Sequence, residues 1–407
     1  MLAAMAALGA GGGSSRTRQL RRLAGICRHL EPAFAGLVQK GVGLVPFRSN
    51  ALSSSAGAPS AGFRAWIVDS HKGKLKHRAV TDFKDVSELP RQDPDANVTV
   101  RVHFSDLNYK DAMIIQGQHG LCKGFPIVPG IDFSGVVEQS DSPLWKVGDE
   151  VVLTGNKIGQ HFDGGWSGKC RVQAEWLVPR PSNFSLEECM IIGTAGFTAM
   201  QMVVHLEDFG GMTPVGGHVL VTGAGGGVGS TAVALLAKLG YHVVASTGRV
   251  EELGDYLRSL GAAEVIGRLE GDGRKQPLQA QRWGYVVDTV GGSTLSAALA
   301  QTKLMGSVAA VGVAAGGILD TTVYPFVLRG IRLLGVDSTL PWNVEGFDES
   351  PVAWERNRAE RLRLWERLAR DMPSEALKNM HSATTPLEDI PTWGDKLLAG
   401  NVHGRIV

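Results

Sequence analysis

Val219-Leu220-Val221-Thr222-Gly223-Ala224-Gly225-Gly226-Gly227-Val228-Gly229 is an apolar strand that runs into a glycine-rich turn. The residues that follow, Ser230 to Leu239 (STAVALLAKL), have the composition of a helix, and Gly240 is placed to end it. Gly223, Gly226 and Gly229 stand in a GxxGxxG spacing, with Gly227 and Val228 in the same turn. One such glycine allows the tight turn, one lets the backbone approach a pyrophosphate, and one lets helix and strand pack closely. The unpaired N–H groups and positive dipole end of the helix then face the phosphates. A lone glycine pattern would be weak, but this one has a strand before it and a helix after it.

Further strand candidates begin near Tyr241, Glu264, Tyr285, Gly306 and Ile331, in series with the one that opens at His218. Their spacing, roughly 20 to 25 residues, leaves room for one helix between neighbours, as at Glu251 to Leu260. This rhythm predicts a parallel, doubly wound α/β sheet covered on both faces.

The end of the second strand decides the cofactor. NAD sites carry an acid there for the ribose 2′-hydroxyl. This chain has Ser246-Thr247-Gly248-Arg249, with no acid. Ser246 and Thr247 can hydrogen-bond a 2′-phosphate, and Arg249 can grip it with its planar fork; the alternative makes Arg249 a solvated loop residue. Arg268, at the end of the third strand, is a weaker candidate for the same phosphate. NADPH is therefore the expected cofactor.

Upstream, Phe63 to Val68 and Asn97 to Phe104 read as strands, and Gly130 to Val137 and Val147 to Val152 as strand-and-turn units. Short strands broken by Pro, Gly and Asp predict a small, mostly β, barrel-like domain. From about Ser338 the texture changes again. Trp354 to Met372 (WERNRAERLRLWERLARDM) is a charged amphipathic helix whose Leu362, Leu364, Trp365 and Leu368 point to a packed face and whose charges read as a solvated one. Gly404 to Val407 resembles the start of a closing strand. The division expected is 61–193 for the mostly β domain, 194–337 for the nucleotide domain, and 338–407 for a return to the first.

Residues 1–60 stand apart. They contain Arg16, Arg18, Arg21, Arg22, Arg28 and Arg48 against a single acid, Glu31, and end in a Ser53-Ser54-Ser55 tract. This composition reads as an organelle transit peptide, mitochondrial in preference to chloroplast, with a disordered extension as the alternative. The whole chain has 407 residues, 43% hydrophobic and 20% charged, and a formal net charge of +1. That balance gives no reason to expect nucleic acid or an anionic membrane as partner. No apolar run reads as the roughly 20 residues that span a bilayer. Cys27, Cys122, Cys170 and Cys189 form no CxxC pair, so they read as free thiols without a clustered thiolate site for zinc. His103, His119 and His161 read as surface or packed histidines.

Beyond the glycine turn, LNYKDA (Leu107 to Ala112), FPIVPGIDFSG (Phe125 to Gly135), IIGTAGFTAM (Ile191 to Met200) and GVDS (Gly335 to Ser338) carry a family resemblance. Together they resemble the acryloyl-CoA reductase family, in the quinone oxidoreductase branch of the medium-chain dehydrogenase/reductase superfamily. The resemblance runs from about Phe63 to the C-terminus. It implies a GroES-like, mostly β catalytic domain beside a Rossmann nucleotide-binding domain, and a homodimer. Zinc alcohol dehydrogenases of the superfamily place a Cys in the region of Ser105 to Asn108 and a His-Glu pair at Ile131-Asp132. Both positions differ here, so the resemblance implies a metal-free site.

Without a metal to polarise the substrate, the chemistry left open is reduction of an activated C=C bond. The favoured expectation is NADPH-dependent conversion of acryloyl-CoA to propionyl-CoA. The rivals are an NADPH:quinone or enone reductase and a non-enzymatic NADPH-binding protein. A basic rim would favour the CoA thioester, for which Lys72, Lys74, Lys76 and Lys123 are available. The resemblance places Tyr109 beside the cofactor, as proton donor or as the group orienting nicotinamide and substrate, unless it only packs the cleft wall. Asn108 and Lys110 either support substrate and cofactor or are structural, and Asp111 and Asp132 read as turn-fixing. By the same resemblance Val313, Val327, Ser338 and Asn401 line the bound NADPH, although both valines also suit ordinary core.

Overall fold

The computed structural model describes residues 62–71, 74–117, 120–338 and 351–407. The arginine-rich segment, Cys27, Lys72 and His119 lie outside those residues.

The apolar run quoted first is strand β8 (Val219–Thr222), and all four of its residues are buried. Burial on both faces explains its continuous hydrophobicity. It sits inside a six-stranded sheet with β9 (Val243–Ser246), β10 (Glu264–Ile266), β11 (Trp283–Asp288), β12 (Thr302–Ala310) and β13 (Arg332–Gly335). The order is β10-β9-β8-β11-β12-β13, and every pairing is parallel. This is the doubly wound order expected, with the reversal between β8 and β11.

The upstream strands form a separate antiparallel sheet in the order β6-β3-β4-β5-β7. It comprises β3 (Val98–Ser105), β4 (Asp132–Ser140), β5 (Glu150–Thr154), β6 (Lys169–Val172) and β7 (Val178–Pro179). A hairpin of β1 (Phe63–His71) and β2 (Lys74–Phe83) joins it through bridges from Ala65 to Ser167 and from Val68 to Ile127. Helix α1 (Tyr109–Ile115) follows β3 directly.

Helix α2 (Leu186–Asp208) connects the two sheets along the chain, and a capping box starts it. Glu188 N–H donates to Ser185 Oγ at 3.1 Å, and Ser185 N–H donates to Glu188 Oε2 at 2.8 Å. The helix is long and apolar enough to cross a membrane by length and composition, which corrects the sequence expectation of no such run. Its apolar window is entirely buried inside the protein, because a helix enclosed on all sides must be hydrophobic all round. It kinks at Gly193, whose backbone takes φ 50° and ψ −160°, so the boundary drawn between residues 193 and 194 falls at the kink.

Helix α3 (Gly227–Lys238) leaves the glycine turn, and α4 (Val250–Ser259) follows β9. Helices α5 (Gly292–Gln301) and α6 (Tyr324–Arg329) accompany the second half of the sheet. Helix α7 (Pro351–Asp371) buries Leu364, Trp365 and Leu368 in the core formed with α2 and α3, with Leu362 partly buried beside them. Its charges are not all solvated. Arg361 is buried, donates to Thr154 O at 2.7 Å and to Asn357 Oδ1 at 3.1 Å, and burial pushes its pKa down to about 10. The carbonyl and amide acceptors make that burial tolerable.

Helices α8 (Ser374–Met380) and α9 (Ile390–Leu398) lead to the end of the chain, where β15 (Arg405–Ile406) pairs in parallel with β14 (His381–Ala383). The closing strand therefore joins a two-stranded ribbon rather than either large sheet. It also reaches the first domain, since Leu107 N–H donates to Ile406 O at 3.1 Å.

Candidate active site

The glycine turn divides its work among three residues. Gly223 adopts φ 59°, a left-handed conformation that a side chain would strain. At Gly229 a Cβ would lie 2.3 Å from Gly223 O, so only hydrogen lets α3 approach the strand. Gly226 is the N-cap of α3, and a Cβ there would meet nothing nearer than Gly223 O at 3.5 Å. Its exposed backbone therefore faces open space, as a phosphate cradle requires. With no charged side chain in the first turn of α3, this arrangement fits a dinucleotide pyrophosphate.

The residues assigned to a 2′-phosphate separate into two groups. Ser246 is only 2% exposed and donates its hydroxyl to Gly267 O at 2.9 Å. It holds β9 to the end of β10, which corrects its assignment as a phosphate ligand. Thr247 Oγ1 accepts from Arg249 N–H at 3.2 Å and so shapes the turn. Arg249 is not a solvated loop residue. Its guanidinium donates to Glu252 Oε1 at 2.9 Å and to Val402 O at 2.8 Å. Arg268 is exposed and lies against Gly248, where a Cβ would come within 2.5 Å of Arg268 Nε. Gly248 thus makes room for the Arg268 guanidinium against the turn.

The C-terminal segment borders the same loop. Val402 O meets Arg249, His403 packs edge-on against Tyr256 at 4.8 Å, and Gly404 N–H donates to Gly225 O at 3.1 Å. Asn401 lies one residue before this rim. Val313 follows β12 and is 64% exposed, and Val327 on α6 is 73% exposed, so neither is core as the alternative reading had it. Ser338 is half-buried just beyond β13.

Tyr109 opens α1 and is 43% exposed, so its ring faces outward rather than packing into a wall. Beneath it lies a buried polar cluster. Asn108 Nδ2 donates to Asp106 Oδ1 at 2.7 Å and to Asp132 Oδ1 at 3.1 Å. Asp132 also accepts from Thr194 N–H at 2.6 Å, the first amide beyond the kink in α2. The kink at Gly193 makes a new helix N-terminus, and the carboxylate occupies it. Asp111 accepts from the N–H groups of Asn108, Gly130 and Ile131, at 3.2, 3.1 and 3.1 Å. Asn108, Asp111 and Asp132 are thus structural, as the turn-fixing reading of the acids expects.

Burial, together with the neighbouring Asp132 charge, pushes the Asp111 carboxyl up to about 7, and burial pushes Asp132 up to about 6. A raised carboxyl pKa means the folded state holds its proton longer than the unfolded chain. The associated stabilisation is complete below about pH 4 and is lost as pH rises through 6 to 7.

Arg405 balances the cluster, and sequence reasoning did not single it out. Its guanidinium pairs with Asp106, donates to Asn108 Oδ1 at 3.3 Å and to Ile191 O at 3.1 Å, and is buried; burial pushes its pKa down to about 10. A Cβ at Gly227 would stand 2.8 Å from Arg405 Nη1. One guanidinium therefore links the residue before Tyr109 to the first residue of the phosphate-facing helix. The only sequence signal was a lone arginine before the apolar pair Ile406-Val407. A cavity of about 550 Å³ borders this cluster at Asp106 and Leu107, between Phe63, Trp166, Leu387 and Ile406; neither Tyr109 nor the glycine turn lines it.

The donor set around Asp132 does not fit a catalytic zinc. Its carboxylate is taken up by Asn108 and Thr194, and a buried guanidinium already neutralises Asp106. The three described cysteines, Cys122, Cys170 and Cys189, are free, and burial pushes the first of them up to about 11 and the last up to about 12.

Residues 94–182 match the family described as alcohol dehydrogenase GroES-like domain, and residues 227–346 match the one described as zinc-binding dehydrogenase. The chain is 46% identical over 346 residues to the acrylyl-CoA reductase AcuI of Ruegeria pomeroyi, covering 85% of this chain and 98% of that protein. It is 41% identical to the putative quinone oxidoreductase YhfP of Bacillus subtilis, over 77% of this chain and 90% of the other. Among solved structures, Escherichia coli YhdH with bound NADPH superposes with a TM-score of 0.74 at 42% identity, covering 84% of this chain and 98% of that one.

Arg405→Met tests the buried cluster. Removing the cation leaves Asp106 uncompensated in the interior, which costs about 3–5 kcal/mol. Urea denaturation should show that loss; a change below about 1 kcal/mol would mean the pair does not anchor the site.

Proposed function

Because the chain belongs to the acrylyl-CoA reductase family of the medium-chain dehydrogenase/reductase superfamily, we propose that it reduces the C=C bond of an α,β-unsaturated acyl thioester, with acryloyl-CoA as substrate and propionyl-CoA as product. It is an NADPH-dependent oxidoreductase. The observation that supports the reading is that buried Arg405 donates to Asn108, the residue before Tyr109, and lies against Gly227 in the glycine turn.

Gly223, Gly226, Gly227, Val228 and Gly229 would hold the pyrophosphate, and Arg249 with Arg268 the 2′-phosphate. When bound, NADPH supplies a hydride to the β-carbon of the enoyl group. The Tyr109 hydroxyl, on the first residue of α1, holds a proton for the product carbon or orients the thioester carbonyl. The buried Asp106–Asn108–Asp132 cluster keeps Tyr109 in place without contacting substrate. We propose that turnover is zinc-independent, because these acids are committed to N–H donors and to Arg405.

The quinone or enone reductase remains the rival, supported by the YhfP likeness, since every nucleotide-binding residue would be shared. Lys74, Lys76 and Lys123 are exposed and available to a CoA phosphate. We further propose a homodimer. Exposed apolar side chains on segments 304–305 and 323–328, including Met305, Tyr324 and Leu328, support it. The composition of residues 1–60 supports import into mitochondria, with the chloroplast as alternative, while the bacterial relatives add no support; a fluorescent fusion of residues 1–60 that stays cytosolic would exclude both.

Arg249→Ala should raise the NADPH KM about 10- to 100-fold and leave NADH kinetics nearly unchanged, since a charge-assisted bond to phosphate contributes about 1.5–3 kcal/mol. Equal losses with both nucleotides would remove the 2′-phosphate role. NADPH oxidation should be measured side by side on acryloyl-CoA, crotonyl-CoA and a simple quinone, with EDTA present throughout. The highest kcat/KM should fall on acryloyl-CoA; a quinone preference overturns the substrate, and loss of activity in EDTA overturns zinc independence. In the same assay Tyr109→Phe should lower kcat about 100-fold or more if the hydroxyl transfers the proton, and an unchanged kcat assigns protonation elsewhere.

A further inference from the structure

The three strands that carry the nucleotide site also have opposite, N-terminal ends, and these bring together side chains that the proposed reaction does not use. His218 immediately precedes β8, His242 immediately precedes β9, and Glu264 is the first residue of β10. The strands are neighbours in the order β10-β9-β8, so the three residues stand side by side at one edge of the sheet.

Their backbones are fixed by the sheet itself. Val219 N–H donates to His242 O at 2.9 Å, and Gly284 N–H donates to His218 O at 3.0 Å. The two imidazoles lie face to face, with ring centroids 4.0 Å apart and planes inclined by 22°. His242 Nε2 is 3.1 Å from Glu264 Oε1. One ligand atom from each of the three residues falls within 4.8 Å of the others, and all three side chains are exposed.

We propose that His218, His242 and Glu264 form a binding site for a divalent transition-metal ion of the zinc class. Two imidazoles and one carboxylate match borderline metals such as Zn²⁺, Ni²⁺ and Cu²⁺ and not the all-oxygen preference of Mg²⁺ or Ca²⁺. Bonds of about 2.0–2.2 Å in a tetrahedral site place ligand atoms about 3.3–3.6 Å apart. Rotation of the exposed side chains would unstack the two rings and bring the ligand atoms to that spacing. Water completes the coordination on the open side.

The ion staples three parallel strands from one end. It does not enter the reaction. His218 and Gly223 are separated by the length of β8, about 16 Å at the usual strand rise. A chelator would strip this site and lower stability without stopping turnover, so the inference stands apart from the substrate assignment.

Zinc binding to the full chain, measured by isothermal titration calorimetry after chelator removal, tests it. Wild type should bind one Zn²⁺ with micromolar affinity and show no heat with Mg²⁺. Zinc should also raise the unfolding temperature by on the order of 1–3 °C at saturating concentration. His218→Ala and His242→Ala should each weaken zinc binding at least 10-fold while NADPH affinity stays unchanged, which reports an intact fold. Glu264→Gln, a near-isosteric change on an exposed side chain, should weaken it several-fold. Zinc affinity that is the same in these variants as in wild type overturns the site, as does no saturable binding up to 1 mM Zn²⁺. If a histidine variant loses NADPH affinity as well, Glu264→Gln decides: unchanged zinc affinity in it rejects the proposal.

Discussion

A guanidinium with no access to water must find its partners inside the protein, and the positions of Arg405's partners organise the site. Asp106 supplies the counter-charge, Asn108 and Ile191 supply oxygen acceptors, and Gly227 yields space by having no side chain. These residues come from the end of β3, from the kinked helix and from the glycine turn, while Arg405 itself comes from the last residues of the chain. Desolvating a cation is costly, so the arrangement persists only if all of these segments are in register together. The kink at Gly193 belongs to the same constraint, because a Cβ there would fall 2.0 Å from Asp106 Oδ2.

The cluster also explains how the mostly β domain keeps a buried acid. Asp132 stands at the start of β4, and an amide at a helix start and the Asn108 side chain are its partners. Three N–H donors treat Asp111 in the same way. The result is a hydrogen-bonded platform before Tyr109, whose own ring stays exposed. In a parallel sheet all strands point one way, so the nucleotide turn and the His218–His242 pair lie at opposite ends by construction.

Much of this was legible before any coordinates. The run from Val219 to Gly229 announces strand, turn and helix because a buried parallel strand is uniformly apolar and a phosphate turn needs glycine. The repeat that follows announces a parallel, doubly wound sheet, and the missing acid at Ser246 to Arg249 announces the nucleotide. Less legible were the residues whose role depends on a distant partner. Ser246 looked like a phosphate ligand, but it is buried against Gly267; Arg361 looked solvated, but it is buried beside Thr154. Helix α2 concealed a membrane-length apolar span, because its hydrophobicity comes from enclosure rather than from lipid.

Local chemistry in the chain was enough to determine the two kinds of domain, the family resemblance, the glycine cradle and the 2′-phosphate preference. These depend on residues within one turn or one strand of each other, where backbone geometry alone sets what can happen. Tertiary structure decided which cation pairs with Asp106, which carbonyl takes the Ser246 hydroxyl, and which two histidines stack. Those pairings join residues as much as 299 positions apart, as Arg405 and Asp106 are. Nothing in the spacing along the chain encodes such a meeting; it arises only when folding removes the water that would otherwise have solvated each charge separately.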